Sequence, residues 1–134
     1  MGREAIPFIW KAARFGYDGF GVKKIYSKAD INALPDSQCI IEALVRIKQE
    51  IAIIATRNPD GEIALYPAVG MAFHKEANQV EYVYYPAEID KEIEKKAQEI
   101  VHKLVSAWQH IGLLAVEFFI DQESNLLINE VAPR

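Results

Sequence analysis

Two carboxylates stand inside runs of hydrocarbon near the end of the sequence. Glu117 lies in Leu113-Leu-Ala-Val-Glu-Phe-Phe-Ile120, and Glu130 lies in Leu126-Leu-Ile-Asn-Glu130, where Asn129 is the only other polar residue. Residues 121–125 between them read as a turn. Glu117 precedes that turn by about as many residues as Glu130 follows it, so a hairpin sets the acids nearly opposite each other. Like charges facing across a sheet are unfavourable. A buried, unpaired carboxylate is worse still, or it takes up a proton. A hard divalent cation relieves both difficulties, and Mg²⁺ typically takes one or two carboxylates together with phosphate oxygens. Either acid alone suits a solvent-facing or arginine-paired position; the pair beside Asn129 favours a metal.

Backbone amides of a glycine-rich loop are natural partners for such phosphate oxygens. Phe15-Gly-Tyr-Asp-Gly-Phe-Gly21 supplies one, with Gly16, Gly19 and Gly21, and Lys11 precedes it as a cation for the same phosphates. By itself the loop is equally a tight turn. It is not a Walker loop, which needs G-x-x-x-x-G-K-[ST], nor a dinucleotide fingerprint, because a strand rather than a helix follows. In Ile40-Ile-Glu-Ala-Leu-Val45 a hinge strand could read an adenine edge through its backbone beside Glu42. Glu50 opens the next strand and could accept from ribose hydroxyls. Each of these acids alone is an ordinary surface carboxylate. His74, His102 and His110 share no metal-ligand spacing, and only His74, in a loop, is placed near a ligand. No serine or cysteine nucleophile motif is present. Trp10 and Trp108 read as core or hinge residues.

The elements that must position these residues are legible as apolar runs and turn signals. Residues 7–11 and 22–26 read as the strands of a hairpin around the glycine loop. Residues 27–34 suit a short helix closed by Pro35. Residues 39–45, 50–56, 62–69 and 79–85 read as strands, with Asn58-Pro-Asp-Gly61 as a turn. The one long helix is expected over residues 88–111, with Gly112 ending it. Its stripe is Ile89, Ile93, Ala97, Ile100, Leu104, Trp108 and Ile111, at spacings of three and four. Lys91, Glu92, Lys95, Lys96, Glu99 and Lys103 form its solvated face. Residues 113–120 and 126–131 complete the hairpin that carries the acids. Many strands with one late helix make the class α+β, an antiparallel sheet packed on one long helix.

The chain has 134 residues, 51% hydrophobic and 25% charged, with a net charge of −4. That is enough hydrocarbon for a compact core. The acidic balance argues against non-specific nucleic-acid binding, which needs a basic face. Cys39 is the only cysteine, so no internal disulfide forms and a reducing cytoplasm is the default. No apolar run approaches the ~20 residues that span a bilayer, so no membrane partner is expected.

Several of these features recur together in one order. Lys11, the Gly-Tyr-Asp-Gly-x-Gly loop at 16–21, the Glu42 strand with Glu50 eight residues on, the Asp60-Gly61 turn, Tyr66-Pro67, Ala115-Val-Glu-Phe-Phe119 and Ile128-Asn-Glu-Val-Ala-Pro-Arg134 resemble the N5-carboxyaminoimidazole ribonucleotide synthetase family of ATP-grasp enzymes. The resemblance implies an ATP-grasp core with a glycine-rich hairpin lid. It implies a ligase that carboxylates 5-aminoimidazole ribonucleotide with bicarbonate and ATP in purine biosynthesis, by way of carboxyphosphate. It also implies ATP and Mg²⁺ as cofactors, aminoimidazole ribonucleotide and bicarbonate as small-molecule partners, and a homodimeric full-length parent. Lys11, Tyr17 and Asp18 would act at the phosphates, under a lid formed by Gly16, Tyr17, Asp18, Gly19, Phe20, Gly21 and Val22. Glu42, Ala43, Leu44 and Val45 would hold adenine, Glu50 the ribose, and His74 would sit near the nucleotide. Glu117 and Glu130 would bind the metal, with Asn129 beside them on the ATP side, and Arg134 would meet substrate.

The match is incomplete at three positions. Phe15 stands where the family usually has Gly, Phe20 where it has Lys or Arg, and Gly70 where relatives often have Glu. The Phe20 difference removes a charge from the lid. The expected organisation is a partial lid subdomain over residues 1–45 and a core subdomain over residues 46–134, as the middle of a larger enzyme. Apolar surface is expected at residues 7–10 and 131–133, where further domains would pack. Another carboxylating ATP-grasp ligase, or a non-catalytic domain that keeps the fold, are the alternatives.

Overall fold

The computed structural model describes residues 6–14, 21–73 and 80–133. They fall into two compact units that divide between Val45 and Arg46.

The first unit is a three-stranded antiparallel sheet, β1 (Phe8–Ala12), β2 (Val22–Ile25) and β3 (Cys39–Ala43), in the order β2-β1-β3. Alternation along β1 turns Phe8 and Trp10 to one face, where they bury with Ile25 against Ala12 and Leu34. Phe8 and Trp10 are only 6% and 3% exposed, so these two form core rather than the apolar surface expected at residues 7–10, while Pro7 is exposed and Ile9 half-buried. A five-residue helix, α1 (Lys28–Asn32), crosses between β2 and β3. Ser27 starts it with a reciprocal cap. Its Oγ accepts from the Asp30 amide at 3.2 Å, while Asp30 Oδ2 accepts from the amides of Ser27 and Tyr26.

The second unit is a six-stranded antiparallel sheet with one helix. Its strands are β4 (Ile47–Arg57), β5 (Ile63–Leu65), β6 (Val69–Phe73), β7 (Val80–Tyr84), β8 (Gly112–Asp121) and β9 (Leu126–Pro133). The order is β7-β6-β4-β8-β9, with β5 also on β4. The helix α2 (Lys91–Trp108) covers one face. Ile51, Ile53 and Ala55 of β4 and Leu114, Val116, Phe118 and Ile120 of β8 bury beneath Ala97, Val101 and Val105. Each large aliphatic or aromatic group sequestered this way contributes roughly 1.5–3 kcal/mol. Among the described residues no helix is long and apolar enough to cross a membrane.

The helix is shorter than its apolar stripe suggests. Asp90 caps it by accepting from the Glu92 amide at 2.9 Å, so helix begins at Lys91 rather than at residue 88. Gln109, left-handed at φ 48°, ends it, and Gly112 instead opens β8. The buried row runs Ala97-Val101-Val105, flanked by Ile93, Ile100 and Leu104. Trp108 and Ile111 therefore fall off the buried face and are 57% and 58% exposed.

Residues 62–69 likewise form two strands rather than one. Pro67 has no N–H to donate, and Ala68 leaves the ladder to donate its amide to Glu94 Oε1 of α2 at 2.9 Å. The chain then re-enters the sheet as β6. There Gly70 pairs with Tyr84 of β7, and the Tyr84 ring lies over the Gly70 backbone. Gln49 Nε2 holds the ring's hydroxyl at 3.2 Å. A glycine allows this close approach because a Cβ built there would fall within the tyrosine ring. The same ring accounts for the absence of a larger residue at position 70.

Gly70→Ala should accordingly destabilise the chain by about 1–3 kcal/mol, the usual penalty for overpacking. In chemical denaturation, adding Tyr84→Ala should make the combined cost less than additive. An unchanged midpoint for Gly70→Ala alone would refute this packing account.

Candidate functional site

The acid-bearing face of the second unit follows from β8. Its buried residues alternate strictly, so Leu114, Val116, Phe118 and Ile120 turn toward α2, and Ala115, Glu117 and Phe119 turn away. Glu117 pairs in register with Ala52 of β4 on one side and with Glu130 of β9 on the other. Glu50, two residues before Ala52, lies on that face too and pairs with Phe119 and with Met71 of β6. Three neighbouring strands thus contribute one acid each to a single sheet face, with apolar groups around Glu50.

The β8–β9 register breaks at one point only. Phe118 pairs with Ile128, and Glu117 pairs with Glu130, so Asn129 is an extra residue in β9. Such a bulge re-aims a side chain without disturbing the ladder beyond it. On the far side Val116 meets Val131 and Ala115 meets Ala132 as in a regular sheet. The insertion sets Asn129 beside Glu130, opposite Glu117. Three oxygen-bearing side chains at one point of a sheet suit a hard cation. Among the described residues no three acids, histidines or cysteines converge as a self-sufficient metal cluster. The donor set therefore fits an ion that brings further oxygen ligands with it.

The turn that sets this register is organised by Asp121. Its Oδ1 accepts from the amides of Glu123 and Asn125 at 2.9 and 2.8 Å, and its Oδ2 from Asn125 Nδ2 at 2.9 Å. These bonds favour the ionised form, with the Asn125 side chain as the largest contributor, and hold the carboxyl below its usual 3.8.

In the first unit, Lys11 stands at the mouth of the hairpin. It pairs with Val22 on one side and Ile40 on the other. Gly21, at φ 84°, closes the mouth by accepting from the Ala12 amide at 2.8 Å. Glu42 of β3 lies diagonally across the same face, and Lys11 Nζ sits 2.8 Å from Glu42 Oε2. Ala43 ends β3, and the half-buried Leu44 and Val45 lead out of the unit. Phe15, Gly16, Tyr17, Asp18, Gly19, Phe20, His74 and Arg134 lie outside the described residues. His102 is exposed on α2, and His110 Nε2 donates to the Leu113 carbonyl at 3.0 Å, a local structural role. Met71 and Phe119, which flank Glu50, are additions to the site. The alternation of β8 signalled Phe119, whereas β6 carried no strand signal strong enough to place Met71.

The ATP-grasp domain family matches residues 3–134. An N5-carboxyaminoimidazole ribonucleotide synthase of Synechocystis is 37% identical over 140 residues, covering 96% of this chain and 35% of the relative. A crystal structure of an N5-carboxyaminoimidazole ribonucleotide synthetase with ADP superposes with a TM-score of 0.88 at 30% identity, covering 97% of this chain and 35% of the other. The corresponding enzyme from Aspergillus clavatus, with ADP and 5-aminoimidazole ribonucleotide, gives 0.79 at 28% identity, covering 95% and 33%. The chain spans about a third of the length of the curated relatives it matches.

Asp121 links the acid pair to pH. Its native pKa is depressed, so its contribution to stability is complete above the unfolded value near 3.9 and is lost as pH falls through the native value. Denaturation midpoints should stay level from neutrality to about pH 5 and then fall. In Asp121→Asn the acid-side fall should be smaller than in the unmodified chain. An equal fall in both would assign it to other carboxylates, Asp30 of the α1 cap among them.

Proposed function

The chain belongs to the ATP-grasp domain family, and from that premise we propose that it is the nucleotide-binding segment of an N5-carboxyaminoimidazole ribonucleotide synthetase. The reaction is the ATP-dependent carboxylation of 5-aminoimidazole ribonucleotide by bicarbonate, yielding the carboxyamino product, ADP and phosphate. The observation that carries this reading is the Glu117–Glu130 pairing with Asn129 inserted beside it. Two facing carboxylates repel each other, and a metal–nucleotide complex is a ligand that relieves the repulsion while contributing phosphate oxygens. The neighbour crystallised with ADP and 5-aminoimidazole ribonucleotide supports the choice of substrates.

In this reading residues 1–45 act as the lid-bearing subdomain and residues 46–134 as the core. Lys11, at the hairpin mouth, meets the phosphates as they enter. The loop from Gly16 through Val22, with Tyr17 and Asp18, closes over them with backbone amides and excludes water that would hydrolyse a carboxyphosphate. Glu42 and the backbone through Val45 hold the adenine, Glu50 holds the ribose, and His74 lies near the nucleotide. Asn129 and Glu130 face the phosphates, Glu117 shares the metal, and Arg134 meets the substrate. Bound Mg²⁺ would neutralise charge on the phosphoryl group in transfer. The full-length parent works as a homodimer in the cytoplasm.

Calorimetric titration with a non-hydrolysable ATP analogue tests the assignment. Mg²⁺ should strengthen binding to the unmodified chain, and Glu130→Gln should lose about tenfold or more of the Mg²⁺-dependent gain with an unchanged circular dichroism spectrum. A variant that responds to Mg²⁺ as the parent does would remove Glu130 from the metal site.

A further inference from the structure

Strand β4 begins without the hydrocarbon that secures the rest of it. Arg46, Ile47 and Lys48 are all exposed, and Ile51 is the first fully buried residue of the strand. The ladder to β8 is also interrupted here. Ile47 pairs with Asp121 and Gln49 with Ile120, so Lys48 is an extra residue. Two hydrogen bonds from one residue of the β8–β9 turn secure this weak point. Gln122 donates its amide to the Arg46 carbonyl at 3.1 Å and its Nε2 to the Ile47 carbonyl at 3.3 Å. The turn that presents Gln122 is itself stiff. Beyond the three bonds accepted by the Asp121 carboxyl, the Asp121 amide donates to the Asn125 carbonyl and the Ser124 amide to the Asp121 carbonyl, each at 3.1 Å.

Only Leu44 and Val45 separate Arg46 from Ala43, the last residue of β3. Ala43 is held by its pairing with Phe8. A stretch this short, fixed at both ends, has few conformations to lose when it meets a ligand. We propose that Gln122 is a positioning residue for the base-reading backbone. By clamping Arg46 and Ile47, it preorganises residues 43–45 for a purine. Gln122 touches no ligand in this role, which rests on the adenine reading of residues 43–45 given above.

The test takes two readouts on the whole chain. The first is limited proteolysis, because Arg46 and Lys48 are trypsin sites and cleavage of a folded chain tracks local opening. Gln122→Glu keeps the side-chain shape but cannot donate to Ile47 when ionised. Gln122→Pro also lacks the amide that bonds Arg46. Cleavage after Arg46 and Lys48, measured against cleavage after Lys103 of α2, should rise about two- to tenfold in Gln122→Glu, the range one net hydrogen bond supports, and further in Gln122→Pro. Unchanged cleavage in both variants would overturn the clamp. The second readout is calorimetry. Adenosine should bind both variants about two- to tenfold more weakly, while the Mg²⁺-dependent gain for the ATP analogue stays at the parent value. Loss of both together, with a lowered denaturation midpoint, would reduce Gln122 to a structural residue. Adenosine affinity equal to the parent's in variants that are cleaved faster would overturn the positioning role. A parent that binds no adenosine would refute the base reading of residues 43–45 and the positioning role with it, whereas faster cleavage in the variants would still establish the clamp.

Discussion

Strand β8 can satisfy its hydrocarbon in only one way. Leu114, Val116, Phe118 and Ile120 bury completely or nearly so against α2 and β4, and a strand's side chains alternate. Sliding β8 by one residue would bring Glu117 and Phe119 under the helix and push four core groups into water. The same packing that stabilises the second unit therefore decides which face carries the acids. Glu50 and Glu130 follow because β4 and β9 are held to β8 by the ladder.

The sequence shows most of this because the signals are local and strong. The alternation around Glu117, the turn before Asn125 and the stripe of α2 can each be read in a window of a few residues. The class, α+β with one long helix on an antiparallel sheet, follows from them. What escapes the sequence depends on partners far away in the chain. The break at residues 66–68 owes its second half to Glu94, a helix residue that takes the Ala68 amide. The opening of β6 depends on Tyr84 lying over Gly70. The helix ends are decided by Asp90 and Gln109 rather than by hydrophobic spacing. The site shows the same limit. Equal spacing about the turn suggests that Glu117 and Glu130 face each other, but the one-residue discrepancy, absorbed by Asn129, appears only in the register. The contact between Lys11 and Glu42 joins residues whose sequence roles looked separate.

The two units handle charge in opposite ways. The first matches a cation with an anion across neighbouring strands. The second sets like charges in register and adds a neutral amide beside them.

The β4–β8 ladder also bears on how the chain reaches this state. Gly112 pairs with Arg57 and Asp121 with Ile47, so every rung closes a long loop that contains α2 whole. Strands β4, β5, β6 and β7 meet through short connections and can assemble early, but β4 lacks its central neighbour until β8 arrives. Closing loops of that length makes folding slow relative to local pairing. During synthesis the apolar strip of Ile51, Ile53 and Ala55 stays uncovered until the helix and the last hairpin have left the ribosome. That interval, more than the finished structure, is when this chain is most open to aggregation.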